Sequence, residues 1–262
     1  MSAATAERVH EQGRLWGSRP RDWATSEEQQ LETYEEALRR IPPRRGDRIL
    51  DVGCGAGTFL RLAAERGAQV AGLDASAGLL EVARERLPAA DLRLGDIESL
   101  PYEDGTFDLV TGFNSFFFAA DMTAALREAG RVARPGAPVL IQVWGAAERC
   151  AVMEIIAAVM PLRDDPPAPG PSALAEPGVL ERMAEAAGLH PEVAFDHAYA
   201  FEFADDSALL RAMLSAGGVA AAVEASGEEA VTRAILDAAI AHRGTDGSIR
   251  LENEWHYLIA RA

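Results

Sequence analysis

Three carboxylates stand where they could bind one polar small molecule. Asp51 precedes a turn with glycine at three alternate positions of residues 53–57, and Asp74 and Asp96 stand at the ends of the second and third predicted strands. A carboxylate accepts hydrogen bonds from hydroxyl and amino groups, and glycine lets a ligand approach the backbone without a Cβ in the way. These residue types, in this order, indicate a binding site for a ligand that carries several such donors.

The elements around the glycine turn predict how the carboxylates are positioned. The run 49–52 predicts a buried strand, and apolar residues at helical spacing over 59–64 predict a helix after the turn. The beginning of that helix would present unpaired N–H groups to the ligand. We therefore expect a nucleotide-sized site at the carboxyl end of a strand. A glycine-rich turn without a ligand is the alternative for this motif alone.

The spacing of the glycines disfavours a dinucleotide cofactor, and with it a nucleotide-dependent oxidoreductase. Dinucleotide sites carry Gly-x-Gly-x-x-Gly or Ala, and counting from Gly53 places Thr58 at the last position. Asp74 follows Gly53 by about 20 residues, where nucleotide-binding α/β folds place a carboxylate on the ribose hydroxyls. Asp74 or Ser76 could instead cap the helix predicted over 77–86, and both roles can coexist.

The segment 51–57, Asp-x-Gly-x-Gly-x-Gly, resembles motif I of the class I S-adenosylmethionine (SAM)-dependent methyltransferases. Residues 95–97, Gly-Asp-Ile, resemble that family's adenine-binding turn, and residues 131–136 resemble its usual approach to the fifth strand. Over about residues 46–145 the chain is similar to the type 11, ubiquinone/menaquinone-biosynthesis-like branch that acts on small molecules. The resemblance implies SAM as the cofactor and S-adenosylhomocysteine (SAH) as its product.

The resemblance also implies roles for individual residues. Asp51 and the glycine turn would hold the methionine end of SAM, and Asp74 would hold the ribose. Asp96 would accept from the adenine amino group, with Ile97 packed on the adenine ring. The expected cofactor contacts are Asp51, Gly53, Cys54, Gly55, Gly57, Asp74, Ala75, Ser76, Asp96, Ile97 and Asn114.

The residues that follow the fourth predicted strand (107–112) help to identify the class of methyl acceptor. The family's DNA and protein-glutamine branches carry an Asn-Pro-Pro-Tyr type of motif where residues 114–117 read Asn-Ser-Phe-Phe. This departure argues against an adenine or glutamine nitrogen as acceptor. The phenylalanines of 113–118 either pack under a loop or line an apolar pocket, and we expect a mixture. The expected acceptor-pocket residues are Trp16, Trp23, Tyr34, Phe116, Phe117 and Trp144.

Residues 1–45 are expected to form an N-terminal helical lid or cap ahead of the SAM-binding core. Thr25 or Ser26 stands where the N-cap of a helix belongs, directly before two glutamates. Trp16 and Trp23 lie in an otherwise polar segment. They either pin that segment to the rest of the protein or close over the ligand.

The last part of the chain, residues 146–262, is predicted to complete the sheet. Alternating residues predict strands over 193–203 and 249–260, and a proline-rich stretch at 161–177 predicts a stiff loop. A helical insertion at about 204–248 would shape the acceptor pocket, and its Ala/Gly-rich stretch indicates close packing or mobility. The expected fold is therefore α/β: a Rossmann-like, seven-stranded, mostly parallel sheet flanked by helices, with this insertion before the last strand.

No side chain is singled out as a general base. Methyl transfer from SAM is an in-line displacement, for which alignment of the reacting atoms can supply about 7–11 kcal/mol. His197, His256 and Glu254 are reachable candidates without a diagnostic spacing, and His197 is more simply a buried structural histidine. No group of residues has metal-ligand spacing, so no metal is expected.

Composition narrows the classes of partner. The 25 Lys and Arg residues against 41 Asp and Glu residues give a net charge of −16, which would repel a phosphate backbone, so no nucleic-acid substrate is expected. Two cysteines, no leader pattern and no long apolar run predict a cytoplasmic protein without membrane contact. Two functions remain: methyl transfer to a small, largely apolar or aromatic acceptor, or SAM binding without methyl transfer.

Overall fold

The computed structural model describes residues 3–164 and 171–262, which form a seven-stranded sheet in the order β3-β2-β1-β4-β5-β7-β6. Strand β7 is antiparallel to both of its neighbours, whereas the pairs from β3 to β5 are parallel. The predicted fold class is confirmed. The strands are β1 Arg48–Val52, β2 Gln69–Asp74, β3 Asp91–Leu94, β4 Leu109–Phe113, β5 Pro138–Trp144, β6 His190–Phe203 and β7 Ile249–Arg261.

Helices cover both faces of this sheet, so its central strands are buried on both sides and read as continuous apolar runs. Along β5, Leu140 packs into the core of one face and Ile141 into the core of the other. The helices are α1 Ala3–Trp16, α2 Pro20–Ser26, α3 Leu31–Arg40, α4 Thr58–Glu65, α5 Ala77–Arg86, α6 Met122–Val132, α7 Ala151–Val159, α8 Val179–Ala186, α9 Asp206–Leu214, α10 Gly217–Ser226 and α11 Glu228–Ala238.

The N-terminal helices differ from the sequence expectation. Thr25 and Ser26, predicted to cap a helix, lie instead in the last turn of α2, where their hydroxyls donate to the carbonyls of Arg21 (3.1 Å) and Asp22 (2.9 Å). Pro20 begins α2, because its fixed φ and missing N–H suit the first helical turn. A 3₁₀ turn, Glu27–Gln30, then joins α2 to α3.

The region between β5 and β6 contains the proline-rich stretch. Of its described residues, Met160–Leu162 and Pro171–Ala175 form 3₁₀ turns. Residues 165–170, for which a stiff loop was predicted, lie outside the described residues, as do residues 1 and 2 of the predicted cap.

The insertion between β6 and β7 consists of α9, α10 and α11. The Ala/Gly-rich stretch at its centre is the first part of α10, with Val219 and Ala222 buried in the same core as Trp255 of β7. These buried side chains agree with close packing, one of the two properties that the composition of this stretch indicates. No single helix within 3–164 and 171–262 is long and apolar enough to cross a membrane; α9 and α10 reach that length only together, and they are bent by 93°.

Candidate functional site

A cavity of about 170 Å³ lies over the carboxyl ends of β1, β2 and β4, beneath the N-terminal helices. Parallel strands bring their carboxyl ends to one edge of the sheet, and the switch in strand order there leaves a crevice. The cavity is lined by Arg8, Val9, Gln12, Trp16, Trp23, Glu27, Gln30, Tyr34, Asp51, Gly53, Gly55, Asp74, Ala75, Leu79, Gly95, Asp96, Ile97, Phe113, Asn114, Ser115, Phe117, Phe118 and Trp144.

The glycine turn forms part of the floor of the cavity, and three of its own N–H groups are bonded within the protein. The N–H groups of Gly53 and Cys54 both donate to the carbonyl of Leu73, at 2.7 and 3.0 Å. The N–H of Gly55 donates to the Asp74 carboxylate at 2.9 Å. A Cβ on Gly55 would lie 2.9 Å from Oε1 of Glu27, so this turn and the N-terminal segment meet too closely for a side chain there.

Asp74 is bonded to the protein and still faces the cavity. Its Oδ2 accepts from Gly55 and its Oδ1 accepts from the N–H of Ser76 at 2.8 Å. An ionised carboxylate offers about four acceptor positions, so two remain for a ligand. The cap of α5 is Ser76, whose hydroxyl accepts from the N–H of Leu79 at 3.2 Å. Thus Ser76 caps the helix and Asp74 is free for a second role.

Two more buried carboxylates stand beside Asp74. Asp51 accepts a hydrogen bond from the Thr111 hydroxyl at 2.7 Å, and Glu27 accepts one from the Thr58 hydroxyl at 2.8 Å. Burial raises the pKa of Glu27 to about 7, opposed by the bond from Thr58, and burial raises the pKa of Asp51 well above its ordinary value. The pKa of Asp74 is also raised by burial, although the backbone N–H groups it accepts oppose the shift.

Asn114 contributes an uncommitted amide group at the end of β4. It is the single non-glycine residue of the described chain with positive φ, at 50°, a left-handed conformation that asparagine adopts more readily than most residues. Both its side-chain nitrogen and its side-chain oxygen are buried without a hydrogen-bond partner among the described residues. Such atoms are costly unless a ligand or water pairs with them.

The polar groups that line this cavity can be compared with the polar groups of SAM. Buried carboxylates are unfavourable unless cations or hydrogen-bond donors face them, and SAM carries a sulfonium, an ammonium group, two ribose hydroxyls and an adenine amino group. Asp51, Asp74 and Asp96 line one cavity with the unpaired amide of Asn114, and the indole N–H of Trp23 is buried there without a partner. The residues present therefore fit SAM.

A second, larger cavity of about 1340 Å³ adjoins the first. Six residues line both cavities and so mark the place where they meet: Trp16, Trp23, Gln30, Phe117, Phe118 and Trp144. Trp16 lies edge-on to Trp23, with ring centroids 4.7 Å apart, and Trp144 stacks on Trp255 at 5.3 Å. The rest of the larger wall is mainly apolar and comes from α7, α9, α10, the carboxyl end of β6 and residues 119–122 and 172–174, among others.

Some residues expected at the site lie elsewhere. The Cys54 side chain is buried with its sulfur towards Gly72, and Gly57 packs on α5 through Ala83. Phe116 is 1% exposed in the core under α6, because the 3₁₀ turn Phe116–Phe118 directs it away from the cavity that Phe117 lines. Tyr34 lines the smaller cavity while packing edge-on to Phe113.

The three candidate bases are not at either cavity. Nδ1 of His256 lies 2.7 Å from the Asp196 carboxylate, and Glu254 pairs with Arg149 at 2.8 Å. His197 is half-buried on β6 with its nearest carboxylate, Glu32, 3.9 Å away. No histidine of the described residues lines either cavity, and these residues contain no group of three potential metal ligands.

Sequence reasoning missed the contribution of the N-terminal helices to the smaller cavity. Arg8, Val9 and Gln12 reach it from α1, and Glu27 and Gln30 reach it from the 3₁₀ turn. A helical pattern alone assigned none of these side chains to a ligand. The available signal for these residues was Glu27, because it is an acidic residue in a segment whose Tyr34 and Leu38 are buried. Its hydrogen-bond partner, Thr58, is 31 residues away, so the local sequence does not reveal the pair.

Comparisons with known proteins find similarity to methyltransferases over the central part of the chain. Residues 50–141 match a family described as a methyltransferase domain. A malonyl-[acyl-carrier protein] O-methyltransferase of Serratia marcescens is 42% identical over 101 residues, 38% of this chain and 40% of that protein. The 27-O-demethylrifamycin SV methyltransferase of Amycolatopsis mediterranei is 35% identical over 120 residues, 43% of this chain and 44% of that protein.

These matches span about two-fifths of the relatives' own length. The likeness in three dimensions extends further. The crystal structure of the YcgJ protein of Bacillus subtilis covers 88% of this chain and 97% of its own, with a TM-score of 0.61 and 21% identity. At that identity the likeness shows a shared fold.

Proposed function

We propose that the whole protein transfers the methyl group of SAM to a small, largely apolar acceptor. The premise of this proposal is that residues 50–141 are a SAM-dependent methyltransferase domain of the type 11 family. The observation that carries this proposal is the junction of the two cavities. A small cavity with buried carboxylates adjoins a large, mainly apolar cavity, and Trp16 and Trp144 are among the residues that line both. The first suits the cofactor and the second suits an acceptor.

The proposed binding roles follow from the side chains that face the smaller cavity. Asp74 has two acceptor positions left for the ribose hydroxyls, and Asp96, at the end of the third strand, would accept from the adenine amino group. Asp51 would face the methionine ammonium group across the glycine turn. Asn114 can both donate and accept, so it suits the methionine carboxylate or a ribose hydroxyl.

The protein's contribution to the reaction would be alignment and exclusion of water. SAM, when bound, supplies a methyl group on a positive sulfur, which transfers by in-line displacement. Trp16, Trp23, Phe117 and Trp144 surround the junction and would exclude water from it. The candidate bases lie off both cavities, so the proposal assigns no general base from the described residues and expects positioning to supply most of the acceleration.

Two measurements test the proposal. Calorimetry of the full chain with SAH should show saturable 1:1 binding, and incubation with SAM and candidate acceptors should then release SAH. Binding without SAH release from any acceptor would favour a SAM-binding protein that does not transfer methyl groups. Absence of SAH binding would refute the proposal.

A further inference from the structure

The wall of the larger cavity contains two charged side chains among the residues the structure describes, Asp121 and Arg163. Asp121 is exposed and caps α6, where one carboxylate oxygen accepts the N–H groups of Thr123 and Ala124 at 2.9 and 3.1 Å. Its charge is thus engaged at a helix N-terminus. Among the described residues, Arg163 is the one cationic side chain on this mainly apolar wall.

Arg163 is half-buried, and no side chain among residues 3–164 and 171–262 pairs with its guanidinium. Its Nε is buried without a hydrogen-bond acceptor, and no described carboxylate forms an ion pair with it. Other half-buried arginines are engaged: Arg86 donates to two backbone carbonyls and Arg131 pairs with Glu128 at 2.7 Å. A buried donor without an acceptor is unfavourable, and a guanidinium accommodates a carboxylate or phosphate with two parallel hydrogen bonds.

The position of Arg163 relates it to the acceptor and not to the cofactor. Nη1 of Arg163 lies 3.9 Å from where a Cβ of Gly218 would be, and the preceding residue, Gly217, packs on the Trp16 ring at the junction of the cavities. Arg163 lines the larger cavity and is absent from the wall of the smaller one. A molecule with one end at the junction would therefore reach it through the apolar space lined by Met153, Ile156 and Met160.

We propose that the acceptor is an amphipathic anion: an apolar molecule with one acidic group, a carboxylate or a phosphate, that pairs with Arg163 while the apolar body fills the larger cavity. This inference rests on the proposed function, because it takes the larger cavity to be the acceptor site. It narrows the acceptor class from apolar small molecules to those with an acidic group distant from the methylated atom.

The test is calorimetry of the full chain, saturated with SAH, against decanoate, decyl phosphate and 1-decanol. The wild type is expected to bind at least one of the two anions tenfold or more tightly than 1-decanol, and the tighter of the two identifies the acidic group. Arg163→Gln should remove this preference. Arg211→Gln, at an exposed arginine of α9 away from both cavities, should retain it.

Equal affinity for 1-decanol and both anions, no binding of either anion, or a preference that persists in Arg163→Gln would each overturn the inference. The affinity for SAH, measured first for every variant, shows that the variant is folded. It also separates the two proposals, because failure of SAH to bind the wild type contradicts the proposed function itself.

Discussion

Asp74 joins the glycine turn to the ligand site. Its carboxylate accepts two backbone N–H groups, one from the turn and one from the start of α5, and still lines the cavity. The sequence identified Asp74 by its distance from Gly53 but not its bond to Gly55. A substitution there therefore affects turn geometry and ligand binding together, and isosteric replacement is more informative than truncation.

Asp74→Asn is expected to weaken SAH binding at least tenfold in calorimetry. The asparagine keeps one acceptor oxygen, but its amide NH₂ would face a backbone N–H that now lacks an acceptor, so we also expect a loss of about 1–3 kcal/mol in the free energy of unfolding. Asp237→Asn, at an exposed position of α11, is the matched control and should change neither quantity. Unchanged SAH affinity in a folded Asp74→Asn variant would refute the ribose assignment.

Glu27 should make the stability of the ligand-free protein depend on pH. Burial raises its pKa to about 7 from a value of 4.5. Between these values the native state keeps a proton that the unfolded state releases, so the free energy of unfolding falls as pH rises from about 4.5 to 7.

Glu27→Gln removes this titration and retains an oxygen that can accept from Thr58. Relative to the wild type, the variant should therefore gain on the order of 2 kcal/mol in the free energy of unfolding between pH 5 and pH 8. Urea unfolding at both pH values measures the difference. A difference between variant and wild type that is the same at pH 5 and pH 8 would show that Glu27 does not titrate in this window.

At the scale of elements, α1 closes the smaller cavity by lying directly on the end of β2. Gly13 packs on the carbonyl of Ala75, and Gly17 packs on the hydroxyl of Ser76, where a side chain would collide. Trp16, between them, lies at the junction of the cavities. The N-terminal segment thus packs on the end of β2 and lines the smaller cavity, and closure over a bound ligand stays a prediction.

Gly13→Leu is expected to displace α1 from Ala75 and to weaken SAH binding about tenfold, because the wall made by Arg8, Val9 and Gln12 moves with the helix. His10→Leu, on the exposed side of the same helix, is the control. Calorimetry of both variants measures the effect. Full SAH affinity in Gly13→Leu would mean that α1 contributes nothing to the site.

The sequence predicted elements well where local pattern and spacing determine them. The glycine turn and the acids that end β1 and β2 could be assigned because a strand, a turn and a helix each leave a local signature. The sequence could not show that Phe116 lies in the core while Phe117 lines the cavity, because one 3₁₀ turn determines the direction of both side chains. The roles of Glu27 and Arg163 depend on packing between distant segments, for which one sequence carries no signal.

At the scale of the whole molecule, the protein has a net charge of −16, and several of its carboxylates are buried in the wall of the smaller cavity. The ligand-free protein bears the cost of burying them, and a cationic ligand with many donors would reduce it. Ligand binding should therefore be visible as increased stability of the entire fold.

SAM at 100 times its dissociation constant should raise the free energy of unfolding by about 2.7 kcal/mol. For a chain of this length that corresponds to a rise in melting temperature of about 5–10 °C. NADH at the same concentration should produce no shift. Stabilisation by NADH and none by SAM in differential scanning fluorimetry would restore the dinucleotide hypothesis that Thr58 disfavours.

A crystal structure of the full chain with bound SAH tests the central claim most directly. We predict that the ribose lies at Asp74, the adenine at Asp96 and Ile97, and the sulfur facing the junction at Trp16 and Trp144. SAH bound outside the cavity over β1 and β2, or bound there with its sulfur turned away from the larger cavity, would contradict it.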